Sequence, residues 1–293
     1  MSPSPTLAVL HPGQMGAAIA GQLRRRGIRV LWCRDARSAS TAERATEAGL
    51  EAVDHLSDLL VAADIVLSIC PPEFAEDVAH SVAEHGYAGL YVDANAISPE
   101  RCNRIADLLM TAGCRVVDGS IIGPPPMTGR TARLYLAGDA ADASRVVDLF
   151  TGTSVEAVKL DGHLGAASAL KMAYASYQKA TRTLAAVAHA LAADYGVTNY
   201  LLSEAARSTR SPLAEPDYLP SVAARAWRWT PEMREIADAL STEGLPSDLA
   251  RATASVLARW ASERDRWDIS VDAALAGLRT GDQQSRPDLA EPR

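Results

Sequence analysis

The 293-residue chain lacks any apolar run approaching the roughly 20 residues that a membrane-spanning helix requires. Its opening residues, MSPSPT, carry neither a charged segment nor an apolar core of the secretory type. Both absences lead to the expectation of a cytoplasmic protein without a membrane partner. Basic excess is missing too: the formal charge is −7, which argues against a nucleic-acid surface and leaves a small molecule as the expected partner. The four cysteines, Cys33, Cys70, Cys102 and Cys114, show no C-x-x-C spacing and no histidine-rich surroundings. Reduced thiols are expected, and no metal site. Internal repeats and low-complexity blocks are also absent.

What is present is an alternation of short apolar runs with helical patterns. LAVLH ends in a Gly/Pro turn and is followed by MGAAIAGQLRRRG, whose apolar residues recur at helical spacing up to Gly27. Strands are expected again at IRVLWC, IVLSIC, LYVDAN, RVVDGSII and ARLYLAG, with helices at STAERATEAGL and SPERCNRIADLLMTAG between them. This order predicts an α/β fold: an N-terminal doubly wound, mainly parallel sheet of the Rossmann type. After about Lys159 the pattern turns helical. Gly165 to Gly196 contains no proline and reads as one unusually long helix. Further helical stretches are expected at Tyr200–Ala206, Leu219–Ala226, Pro231–Ser241 and Pro246–Arg264. The expected organisation is a nucleotide-binding domain over 1–159, an all-helical substrate and dimerisation domain over 160–280, and a disordered tail over 281–293. A long Ala-rich helix gains most of its stability from packing, so a homodimer through the helical domain is expected.

In the dinucleotide fingerprint G-x-G-x-x-G, the glycines permit a tight turn, close approach to a pyrophosphate and close helix packing, in that order. Here those positions are His11, Gly13 and Gly16. With Gln14 and Met15 they open a helix whose free N–H groups suit a pyrophosphate. Past the second strand, CRDARSAST offers Arg34, Arg37, Ser38 and Thr41, where an NAD enzyme usually carries an acid for the ribose hydroxyl. Cationic and hydroxyl donors suit a 2′-phosphate, which favours NADP over NAD. Asp35 beside them keeps NAD as the alternative.

The motifs HPGQMG, SICPP, VDANAISP, VVDGSIIGPPP and GAASALKMAYASY, in that order, resemble the β-hydroxyacid dehydrogenase and 6-phosphogluconate dehydrogenase superfamily over almost the whole chain. The part AWRWTPEMREIADALSTEGLP resembles a poorly characterised branch with a phosphogluconate-dehydrogenase-like C-terminal domain. The resemblance implies a long interdomain helix carrying a catalytic lysine, and a homodimer. It sets Cys70, Pro71 and Pro72 on the cofactor path. It makes Asn95 a contact of the nicotinamide ribose or the substrate. It assigns the run containing Asp118, Ser120, Ile122 and Gly123 to the substrate loop, with Ile122 where the family has a carboxylate-binding serine. Lys171 falls at the family lysine, while the family asparagine is Ala175. Tyr174 and Tyr177 are the bulky polar neighbours.

Reducing a carbonyl needs a proton at oxygen as hydride reaches carbon, and a partly desolvated ammonium at Lys171 suits that role. Trp227, Trp229 and Met233 read either as helical-domain core or as the wall of an apolar substrate pocket. The resulting expectation is an NADP-dependent oxidoreductase acting on a hydroxyl or carbonyl carbon, with Lys171, Asn95 and Tyr174 in the catalytic centre. Two rivals stand beside it. One is imine reduction on the same fold, whose known representatives commonly carry Asp or Tyr in place of Lys171. The other is a nucleotide-binding sensor or scaffold without turnover.

Overall fold

A computed structural model describes residues 4–207, 212 and 215–279. The expected tail, 281–293, lies outside the described residues. The chain divides into two compact units. One is built from residues up to Ala175 together with Asp238–Leu245, the other from Ser176–Ala237 and the chain from Pro246 on.

The first unit carries β1 (Leu7–Leu10), α1 (Gln14–Arg25), β2 (Val30–Cys33), α2 (Ala39–Glu47), β3 (Glu51–Val53), α3 (Leu56–Ala62), β4 (Ile65–Ser68), α4 (Ala75–Glu84), β5 (Leu90–Asp93), α5 (Pro99–Thr111), β6 (Arg115–Ile122), β7 (Ala132–Gly138), α6 (Ala140–Leu149) and β8 (Val155–Lys159). One eight-stranded sheet results, in the order β3-β2-β1-β4-β5-β6-β7-β8. All neighbours are parallel except β6 and β7, which run antiparallel. The apolar runs are continuous because both faces are covered, and strand geometry divides them between the faces. Leu7 and Val9 pack with Ile19 and Leu23 of α1 on one side. Ala8 and Leu10 pack with Leu59, Val82 and Ile105 of α3, α4 and α5 on the other.

β3 and β8 were not announced by the hydrophobic pattern. They are the two outer strands, and EAV and VEAVK mix polar with apolar positions as one-sided edges do. Helix starts follow their side-chain caps. The Ser38 hydroxyl accepts the Thr41 N–H at α2, Ser98 accepts the Arg101 N–H at α5, and Asp139 accepts two amides at α6.

α7 (Ala166–Asp194) is the expected long helix, followed by α8 (Thr198–Ala206), α9 (Leu219–Thr242), α10 (Asp248–Leu257) and α11 (Val271–Ala276). One expectation is corrected: the stretches on either side of Pro231 form a single helix, α9, with the proline inside it. Proline removes one N–H from the ladder, the one that would reach the Trp227 carbonyl, and the helix runs through it. The run expected helical to Arg264 is α-helical only to Leu257 and then tightens to a 3₁₀ segment, Ala258–Glu263. In the second unit Trp260 is fully buried and its indole N–H donates to the Ala274 carbonyl at 2.7 Å. No helix among the described residues is long and apolar enough to cross a membrane.

Candidate active site

The parallel register aligns Leu10, Ser68, Asp93 and Asp118 in one row across β1, β4, β5 and β6. After Leu10, Ser68 and Asp93 the chain leaves the sheet at the same edge, the carboxyl edge where open α/β sheets bind ligands, while β6 runs on beyond Asp118 to Ile122. Strand order reverses between β1 and β4, which makes that junction the switch point.

At the end of β1, His11 takes φ +66°, the left-handed conformation that the first glycine of the fingerprint normally supplies. For a non-glycine residue this costs about 1–2 kcal/mol, although histidine is among those that tolerate it. The His11 carbonyl explains the last glycine: a Cβ on Gly16 would approach it to 2.7 Å. Gly13 serves differently. Its φ is ordinary, but a Cβ there would meet nothing within 4 Å, so the missing side chain leaves open space against the backbone. α1 starts directly after it with no side-chain cap and no acid in its first turn, which leaves the first-turn N–H groups, at Gln14, Met15 and Gly16, without an intrahelical acceptor.

A cavity of about 450 Å³ opens beside this turn. Leu10, Leu56, Pro71, Phe74 and Val78 give it an apolar wall, and His11, Arg37 and Asp77 are its ionisable groups. Arg37 lies in the turn after β2, closed by its N–H to the Arg34 carbonyl at 3.2 Å, and its side chain has no hydrogen-bond or ion-pair partner among the described residues. Arg34 pairs with Asp54 at 3.0 Å on the surface. Ser38 sits within 3.1 Å of the Ser40 and Thr41 hydroxyls. His11 Nδ1 is buried without a hydrogen-bond partner. Burial, and then the Arg37 charge, push the imidazole down to about 4 against the pull of the Leu10 backbone, so it is neutral at physiological pH. Open space at Gly13, uncapped amides, an orphaned imidazole nitrogen and an apolar cavity with an unpaired guanidinium fit a nicotinamide dinucleotide.

At the ends of β4 and β5, Asn95 is buried and ties the strands together. Its carbonyl accepts the Cys70 N–H at 2.7 Å, and its amide donates to the Ser68 hydroxyl at 3.2 Å. Burial pushes the Cys70 thiol up to about 12, so it is not a thiolate nucleophile. Asp93 Oδ1 accepts the Asn95 N–H at 3.0 Å, while Oδ2 is buried and unpartnered. Desolvation first, with the Asp118 charge adding to it, raises this carboxyl to about 7 against the hydrogen bonds from Asn95.

β6 continues past the aligned row and meets the start of α7. Asp118 is fully buried and accepts the Ala167 N–H at 2.8 Å, the Ser168 N–H at 3.0 Å and the Ser168 hydroxyl at 2.8 Å, capping the helix from a strand. Ser120, also fully buried, donates to the Ala167 carbonyl at 2.6 Å. One turn into the helix, the Lys171 ammonium donates to the Ile121 carbonyl at 3.0 Å. Ile122 is buried beside it in the chain. Gly123 takes φ +119°, with a Cβ position 3.2 Å from the Thr131 carbonyl, so that only glycine turns the strand there. Tyr174 is exposed on the same helix.

Trp227 and Trp229 belong to the second unit. The Trp227 indole N–H donates to Asp265 at 3.3 Å, and the Arg264 guanidinium lies 3.8 Å from its ring centre. Trp229 has the Lys179 ammonium 5.4 Å from its ring, and Lys179 is itself buried and paired with Glu232 at 2.9 Å. Met233 is fully buried.

Two elements of the site escaped sequence reasoning: the capping role of Asp118, and the buried acid Asp93. A compositional signal was available for the lysine. Lys159, Lys171 and Lys179 are the only lysines among 29 basic residues.

The doubly wound sheet, the glycine turn and the cavity at the switch point define an NAD(P)-binding oxidoreductase fold. Residues 6–161 match the NAD-binding domain of 6-phosphogluconate dehydrogenase, and the chain belongs to that family. Residues 192–260 match a domain of unknown function, DUF1932. An uncharacterised 28.5 kDa protein of Methanothermus fervidus is 28% identical over 175 residues, which is 60% of this chain, and the match spans 66% of that relative's length. The fold is shared with the 3-hydroxyisobutyrate dehydrogenase of Mycobacterium tuberculosis solved with L-serine, at 20% identity and TM-score 0.75, covering 95% of this chain and 100% of that one. It is shared too with the reductive aminase of Aspergillus terreus in complex with NADPH and ethyl levulinate, at 17% identity and TM-score 0.55, covering 94% and 100%.

Proposed function

We propose that this protein is an NADP-dependent oxidoreductase that moves hydride between the nicotinamide and the hydroxyl- or carbonyl-bearing carbon of a small organic substrate. The observation that carries the reading is the Lys171 ammonium held at 3.0 Å by the Ile121 carbonyl, on a helix whose start is fixed by Asp118 and Ser120. When bound, the nicotinamide supplies or accepts the hydride. The rest falls to the chain. The N–H groups after Gly13 hold the pyrophosphate. Arg37, with Arg34 and Ser38, meets the 2′-phosphate. Lys171 gives a proton to the substrate oxygen as the carbonyl is reduced and takes it back in the reverse direction. Ile122 and Gly123 offer no charge to a carboxylate, which favours substrates with an apolar body.

Leu170, Tyr174, Tyr177 and Leu184 are exposed along α7 at spacings of four, three and seven residues. Such a stripe on one chain supports a homodimer through this helix. A monomer in sedimentation at micromolar concentration removes that part of the reading.

A screen of alcohols, hydroxy acids, ketones and cyclic imines, followed by NADPH absorbance, tests the reaction. Turnover of hydroxyl or carbonyl compounds that collapses in Lys171→Ala is the expected result. Ready reduction of cyclic imines that survives Lys171→Ala replaces the reading with imine reduction. Tight NADPH binding with no turnover of any class replaces it with a sensor.

A further inference from the structure

The reaction above gives His11 no task, yet its position is the most conspicuous in the turn. A glycine adopts φ +66° without strain, so here the turn carries a conformational cost for the sake of a side chain. Strain of this kind is found where a ligand makes use of it. The side chain lines the cavity beside β1, with Nδ1 buried and without a partner. Facing the same space is the Arg37 guanidinium, also without a side-chain partner among the described residues. The other charged group lining the cavity is Asp77 of α4, and Leu56 at the start of α3 and Phe74 before α4 contribute apolar wall. Two unsatisfied nitrogen groups in one largely apolar cavity call for a ligand group with several acceptor oxygens.

We propose that His11 is a specificity residue for the cofactor, and that it and Arg37 together hold the phosphate on the ribose 2′-oxygen of NADP. This rests on the NADP reading of the site. A 2′-hydroxyl offers one oxygen and no charge, whereas a phosphate monoester offers three oxygens and close to two negative charges. A consequence follows for protons. Burial and Arg37 keep the imidazole neutral in the protein alone. A dianion beside the imidazole and the Arg37 guanidinium reverses the field, and the imidazole takes a proton from solvent as the phosphate arrives.

The test uses the full-length protein, with adenosine 2′,5′-bisphosphate and adenosine 5′-monophosphate as probes. Titration calorimetry is run in two buffers of different ionisation enthalpy between about pH 7 and 8, where the free phosphate is already a dianion. The expected result is that the bisphosphate binds about tenfold or more tighter, and that its binding, but not that of the monophosphate, takes up a proton. His11→Asn tolerates the left-handed turn and cannot titrate. It and His11→Gly should each lose the proton uptake and roughly three- to tenfold of the preference, with thermal unfolding confirming that both are folded. If either variant keeps the full preference and the proton uptake, His11 does not touch the phosphate and the proposal falls, while the NADP reading stands on Arg37. If the unaltered protein does not distinguish the two probes, the NADP reading falls and takes this proposal with it.

Discussion

The turn after β1 and the junction of β6 with α7 stand at the same edge of one sheet and treat their polar groups in opposite ways. At the junction, every oxygen of a buried carboxylate is engaged, and the Asp118, Ser120 and Lys171 side chains hold helix to strand. At the turn, a buried imidazole nitrogen, an arginine side chain and the amides of a helix start are left without protein partners. Unmade hydrogen bonds in a folded protein are costly, and at this turn one lies beside an open cavity, where a ligand can complete it. In the proposed function, the satisfied region positions the chemistry and the unsatisfied one receives the cofactor.

Four substitutions strain that contrast. Lys171→Ala should lower turnover by about a hundredfold or more and leave NADP affinity nearly unchanged, as expected for loss of a general acid and base. Equal losses in turnover and cofactor affinity, measured by steady-state kinetics and binding titration, would break the division between the two regions. Asp118→Ala removes a cap and orphans two buried amides, and should cost about 2–4 kcal/mol of stability in urea unfolding. A change under ~0.5 kcal/mol would mean that the junction is not held as described. Arg37→Ala should do the reverse: unchanged stability, with the preference for NADP over NAD reduced by roughly ten- to a hundredfold.

The smallest effect concerns Asp93, whose acid form the fold favours. Its carboxyl is raised to about 7 in the folded protein and is close to 3.8 when unfolded, so the native state binds the extra proton between those values. The stability it contributes is complete below pH 4 and is lost as pH rises through 7. Urea midpoints of the parent and Asp93→Asn, compared at pH 5 and pH 8, should diverge by about 1–2 kcal/mol, the parent losing more on the alkaline side. His11 works in the opposite direction between about 4 and 6.5, and cancels in the comparison. Parallel midpoints would show that Asp93 titrates as an ordinary surface acid.

Local signals were legible in the sequence, and long-range pairings were not. The buried strands announce themselves as apolar runs, and the Gly13–Gly16 turn can be placed because it is set within a few residues of a strand end. β3 and β8 escaped because an edge strand needs only one apolar face. Pro231 reads as a helix break because proline lacks the donor that a helix interior requires, yet a single helix runs through it. His11 is conspicuous in the sequence as a departure, yet its positive φ and its orphaned nitrogen belong to three dimensions. Asp118 and Ser168 are separated by 50 positions, and nothing local says that a strand acid caps a distant helix.

That cap has a consequence for motion. The first turn of a helix normally frays, because its amides have no acceptor in the helix and exchange readily with solvent. In α7 the Ala167 and Ser168 amides instead end on a carboxylate that solvent does not reach. Their hydrogen-exchange rates should therefore resemble those of the sheet interior, and opening at that point should require β6 and α7 to separate. The place where a helix is ordinarily loosest should here be among the slowest to open, only one turn before the residue on which the proposed chemistry depends.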